Sequence, residues 1–124
     1  MSLKYQKTEL EGKVLEHRLA QMLKKRGYKI QRATGRGRGV DIIARKNDQL
    51  FLIEVKTTRR VDSSDIVRSK TVEGLISRRL AKDIRQVTSI IVSNGTVTDS
   101  ARKLSIELRV PVVRPSEIHH IIEE

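Results

Sequence analysis

The stretch GVDIIARKNDQLFLIEVKTT, residues 39–58, constrains the fold more than any other part of the chain. Val40, Ile42 and Ile43, and then Leu50, Phe51, Leu52, Ile53 and Val55, form two short apolar runs, and Lys46, Asn47 and Asp48 between them supply a turn. The runs read as two buried strands of a hairpin. That hairpin nevertheless carries Asp41, Glu54 and Lys56. Charged residues are rarely buried unless they are paired, solvated or bound to something.

The rest of the chain builds a sheet around this hairpin. Residues 9–26 place Leu15, Leu19, Met22 and Leu23 at helical spacing, and Gly27 is a stop signal. Residues 28–33 read as a strand, and TGRGRG, residues 34–39, as a flexible basic loop. A loop at 59–65 ends in candidate caps, Ser63, Ser64 and Asp65, and a helix is expected from about 65 to 84. Its candidate core positions are Ile66, Val72, Leu75, Ile76 and Leu80, with Gly74 a weak point. Residues 87–94 read as a buried strand. Residues 97–109 read as a helix with Thr98 or Asp99 at its start. Residues 110–113, with Pro111, read as an edge strand. Ser116 is expected to cap a last helix over 117–124. The order αβββαβαβα implies an α/β fold, a central mixed sheet flanked by helices, in a single domain over residues 1–124.

Charge narrows the function. Lys and Arg number 26 against 15 Asp and Glu, a formal net charge of +11, which favours a polyanionic partner, nucleic acid before membrane. The aromatic residues are Tyr5, Tyr28 and Phe51, too few for a single-strand stacking platform, so duplex or branched DNA held through its phosphates is the better expectation. Without cysteine the chain has neither a disulfide framework nor a thiolate metal site. No apolar run approaches a membrane span and no signal peptide is evident, so a cytoplasmic protein is expected.

The charges of the hairpin suggest what happens to the DNA. Glu54 and Lys56, two apart on a strand, point to one face while Val55 points to the other. Pairing through the turn makes partner numbers sum to about 95, which sets Asp41 opposite Glu54. Two close carboxylates repel unless one is protonated or a cation lies between them. All-oxygen ligands favour Mg²⁺ or Mn²⁺. Such an ion activates water and polarises a phosphoryl oxygen, and Lys56 can stabilise developing charge. The pattern suits phosphodiester hydrolysis. The plain alternative is an ion pair between Glu54 and Lys56, with Asp41 a turn residue.

On these residues the chain resembles the PD-(D/E)xK nucleases, in which an Asp opens one strand and a Glu-x-Lys lies on the next. Val40 stands where the pattern has Pro. The resemblance implies a restriction-endonuclease-like three-layer fold and a Mg²⁺-dependent endonuclease. It implies Asp41, Glu54 and the Val55 carbonyl as metal ligands and Lys56 as the catalytic lysine. LEHRLAQMLKKRGYKI, residues 15–30, is similar to the first helix of archaeal Holliday junction resolvases and Mrr-like restriction endonucleases, which makes Glu16 a further metal ligand and catalytic residue. Residues 88–118 resemble the Mrr-like pattern, whereas Glu54-x-Lys56 is the resolvase form. The chain therefore reads as an Mrr-like restriction endonuclease, with a junction resolvase as the alternative and a catalytically silent DNA-binding module of the same fold as a third reading. A homodimer is expected, since cutting both strands takes two symmetry-related centres.

Arg36 and Arg38 in the basic loop are candidate phosphate contacts, as are Arg59 and Arg60 beyond the hairpin. GRGRG lacks the strand-turn-helix context of a dinucleotide-binding loop, and its third glycine is not at that loop's spacing. His17 reads as a surface residue. His119 and His120, adjacent on a helix, should not share a face and so make a poor metal site.

Overall fold

The structure, a computed structural model, describes residues 3–32, 40–57, 60–80 and 82–122. Helix α1, Leu3–Lys25, leads to strand β1, Lys29–Arg32, and to the hairpin of β2, Ile42–Lys46, and β3, Gln49–Lys56. Next come β4, Arg60–Val61, helix α2, Ser63–Ser77, and strand β5, Gln86–Ser93. The chain continues through β6, Thr96–Val97, α3, Asp99–Leu108, β7, Val112–Val113, a 3₁₀ turn, Pro115–Glu117, and α4, His119–Ile122.

The main sheet has the order β1-β2-β3-β5-β7. β1, β2 and β3 pair antiparallel, while β3 with β5 and β5 with β7 pair parallel. The expected mixed sheet flanked by helices is therefore present. In the hairpin Ile42 pairs with Ile53 and Lys46 with Gln49, so the partner numbers sum to 95. Asn47 takes a left-handed conformation, φ 57°, in the two-residue turn between the strands.

Strand alternation sorts the core into two layers. Ile42, Ala44, Phe51, Ile53, Ile90 and Val92 meet Leu19, Ala20 and Leu23 of α1, Ile122 of α4, and Tyr28 and Ile118 beside those helices. On the other face Leu50 and Leu52 meet Val72 and Ile76 of α2, while Ile91 meets Ile66 of α2 and Ala101 of α3. Each fully buried Ile or Leu here stabilises the fold by roughly 2 kcal/mol.

Gly27 ends α1 with φ 90°. Its N–H donates to the Lys24 carbonyl at 3.1 Å, and Tyr28 N–H donates to the Leu23 carbonyl at 3.0 Å, a paired motif that a left-handed residue permits. Tyr28, delivered into the core by that turn, donates its hydroxyl to the Ile122 carbonyl at 2.7 Å.

Several local expectations need correction. α2 ends at Ser77, not near 84, although Leu80 and Ile84 still cover the Leu50 face from outside the helix. Leu75 is not core: it is 54% exposed, because nine residues at 100° each turn it to the side opposite Ile66. The cap of α2 is Asp62, whose side chain accepts Asp65 N–H while the Asp65 carboxylate accepts Asp62 N–H, a reciprocal capping box. Ser116 caps nothing. Pro115 opens a 3₁₀ turn there, and the Glu117 carboxylate accepts Arg114 N–H at 3.2 Å. β4 and β6 pair parallel as a small second sheet where a loop and a helix start were expected.

Candidate active site

The geometry begins with α1. Gly12 lies against Thr57, just past β3: a Cβ at Gly12 would stand 3.5 Å from the Thr57 methyl. Four residues on, Glu16 shares that helix face, and Leu19 and Leu23 anchor the face in the core. Glu16 is thereby carried to the hairpin. It accepts a hydrogen bond from Arg32 at 3.1 Å and lies beside the Asp41 carboxyl, whose pKa it raises.

Asp41 sits one residue before β2, opposite Glu54 in the register. Its backbone N–H donates to the Ile53 carbonyl at 2.8 Å, and its carboxylate accepts Val55 N–H at 2.6 Å. Burial drives the Asp41 carboxyl up from 3.8 to about 6; the Val55 amide opposes this, and the charges of Glu16 and Glu54 add to it. Glu54 is 6% exposed, and burial raises its pKa too, against the opposing charges of Arg68 and Lys56. Arg68 donates to the Glu54 carboxylate at 3.4 Å.

Lys56 does not pair with Glu54 as an ordinary surface ion pair would. Its ammonium donates to Asp65, which is 3% exposed and also accepts Arg68 at 2.8 Å and Asp62 N–H at 2.9 Å. Glu54, Lys56, Asp65 and Arg68 thus alternate in charge across the β3–α2 contact. Asp65 was expected only as a cap, and Arg68 was not expected here at all. Their i, i+3 spacing puts them on one helix face, but which strand that face would meet is not a local property.

The structure therefore brings Glu16, Asp41, Glu54 and Lys56 to one end of the sheet. Among the described residues no three acidic or histidine side chains form a ready cage for a metal. The donor set still fits Mg²⁺, which is commonly held by one or two carboxylates with water and substrate phosphate completing the shell. A half-buried carboxyl raised to about 6, first by burial and then by the like charges of Glu16 and Glu54, is a group that a hard cation would relieve.

Of the candidate DNA contacts, Arg36, Arg38 and Arg59 lie outside the described residues, and Arg60 is exposed at the start of β4. His17 is exposed, as expected. The rings of His119 and His120, at the start of the four-residue α4, lie 4.0 Å apart between centroids, and neither belongs to a group of three metal-ligating side chains among the described residues.

Residues 8–121 match a family model, Mrr_cat, described as restriction endonuclease. No curated protein matches the chain. Among solved structures it is similar to a repair endonuclease from Pyrococcus abyssi, at 20% identity and TM-score 0.56, covering 75% of this chain and 40% of that one. It is also similar to EndoMS in complex with double-stranded DNA, at 21% identity and TM-score 0.54, covering 72% of this chain and 37% of that one. The chain thus spans less than half the length of either structure. The likeness bears out the restriction-endonuclease-like fold.

Proposed function

Because the chain belongs to the restriction endonuclease family of the Mrr catalytic type, we propose that it is a Mg²⁺-dependent endodeoxyribonuclease, a cytoplasmic Mrr-like enzyme that hydrolyses phosphodiester bonds of DNA as a homodimer. One observation carries the reading. Asp41, held by the Val55 amide, faces Glu54 across the hairpin while α1 adds Glu16, so one buried and two partly buried carboxyls crowd one end of a basic protein. A protein that only bound DNA would gain nothing from carboxylates placed against phosphates.

Asp41, Glu54 and the Val55 carbonyl would hold the ion, with Glu16 supporting from the helix. A divalent cation supplies Lewis acidity toward the phosphoryl oxygen and the attacking water. Lys56 presents its ammonium to the charge that develops on the phosphate. Arg60, with Arg36, Arg38 and Arg59, would grip phosphates and leave the chemistry to the hairpin.

The test is incubation of linear, supercoiled, methylated and four-way-junction DNA with Mg²⁺ or EDTA, for the parent and for Glu54→Gln and Lys56→Ala. Cleavage by the parent that EDTA stops, and that both substitutions lower by at least about 100-fold while DNA binding persists, is expected. Cleavage by Glu54→Gln at the parent rate would remove the reading. Strong preference for the junction would favour a resolvase, whose Glu-x-Lys form this chain shares. Sedimentation showing only monomer, free and on DNA, would remove the homodimer.

A further inference from the structure

We propose that Asp65 is a positioning residue that aims Lys56. The proposal rests on the nuclease reading above, in which the Lys56 ammonium meets the phosphate.

A helix cap alone does not explain Asp65. The capping role uses one carboxylate oxygen, Oδ2, which accepts Asp62 N–H at 2.9 Å. The other, Oδ1, takes Lys56 Nζ and Arg68 at 2.8 Å. A cap at this position works in full solvent, yet Asp65 is buried at 3% exposure, a costly placement for a carboxylate unless cations satisfy it.

The arrangement also divides the labour of the strand. Glu54 and Lys56 share a face of β3 and could neutralise each other. Instead Arg68 reaches Glu54 and Asp65 takes Lys56. Lysine has a long, flexible stem, and an ammonium without a fixed partner would sample many positions. Anchoring it to the first turn of α2, itself fixed by the capping box, holds the charge at one place and leaves the Glu54 carboxylate uncommitted to it.

The experiment has two readouts on the full chain. The first is trace acylation of Lys56 by an amine-reactive ester without metal, quantified by mass spectrometry. The second is single-turnover plasmid cleavage with Mg²⁺ alongside the DNA Kd. The variants are Asp65→Asn, Asp65→Glu and Asp62→Ala, with melting curves to verify folding. Asp62→Ala breaks the same capping box without touching Lys56. Asp65→Gln, which keeps an acceptor at the capping position, replaces the Asn variant if that one does not fold.

Removing the Asp65 charge is expected to speed Lys56 acylation at least about fivefold and slow cleavage about 10- to 100-fold, the scale of a misplaced catalytic group, with Kd changed less than about threefold. Asp65→Glu should restore slow acylation, and Asp62→Ala should melt earlier while acylating like the parent. Acylation in Asp65→Asn at the parent rate overturns the proposal. So does acylation sped equally by Asp62→Ala, or cleavage unchanged by loss of the Asp65 charge. If the parent itself does not cleave, the nuclease reading falls, and the acylation comparison alone decides whether Asp65 holds Lys56.

Discussion

Asp41→Asn should make the metal-free protein more stable at pH 7.5 and not at pH 4. The Asp41 carboxyl is raised from 3.8 to about 6, first by burial and then by Glu16 and Glu54, against the Val55 amide. A raised carboxyl favours the folded state while it is protonated. That contribution is full below the unfolded value near 4 and is lost as the pH rises through about 6. At roughly 1.4 kcal/mol per tenfold, the rise would cost the ionised fold about 3 kcal/mol. Asp41 is only half-buried, and water screens this to roughly 1–2 kcal/mol. Asn keeps the acceptor for Val55 N–H and adds a donor toward Glu16, so little is lost in exchange. For a chain of this size the gain is about 4–8 °C in Tm at pH 7.5 in EDTA, fading to nothing near pH 4. Calorimetry of both proteins across this range is the assay. Added Mg²⁺ should raise the Tm of the parent at pH 7.5 and leave the variant nearly unmoved. A variant that melts below the parent at pH 7.5 would refute the argument, as would a difference independent of pH.

Other expectations follow from charge, strain and burial. DNA binding without metal should weaken steeply with salt, with a log-log slope near −4 to −5 for about five neutralised phosphates, and a flat titration would contradict phosphate-dominated binding. Arg109 closes α3 in the left-handed region at φ 56°, ψ 47°, so Arg109→Gly should raise stability by about 1 kcal/mol in urea titration. Ser69 is 3% exposed and its hydroxyl has no hydrogen-bond partner among the described residues, so Ser69→Ala should be neutral or stabilising by up to about 1 kcal/mol; a loss of 2 would show a hidden partner. Glu54→Gln should change metal-free stability little, because burial of the charge and its contact with Arg68 oppose each other and Arg68 keeps Asp65.

The hairpin was legible because its information is local. A two-residue turn sets the register, the register sets Asp41 against Glu54, and strand alternation puts Lys56 on the face of Glu54. Glu16 was legible only through resemblance, since nothing in a helical repeat says which strand end the helix crosses. Asp65 and Arg68 were not legible as site residues. Their meeting with β3 depends on how the crossover through α2 returns to β5, a tertiary matter. β4 and β6 are two residues each, too short to show any period. Leu80 and Ile84 kept the spacing of a helix that stops at Ser77, because burial on the Leu50 face asks only for apolar side chains at the right place.

The bond from Tyr28 to Ile122 has a consequence for synthesis. The residue that follows the first helix waits for a carbonyl 94 positions later, and Leu19 and Leu23 wait beside it for Ile118 and Ile122. At about 5–20 residues per second that delay lasts several seconds on the ribosome, and longer while the tunnel hides the newest segment. Through that interval the apolar face of α1 and the hairpin has no cover from α4. A nascent chain arrested before residue 118 should therefore hold that face open to chaperones, and one released after residue 122 should close it.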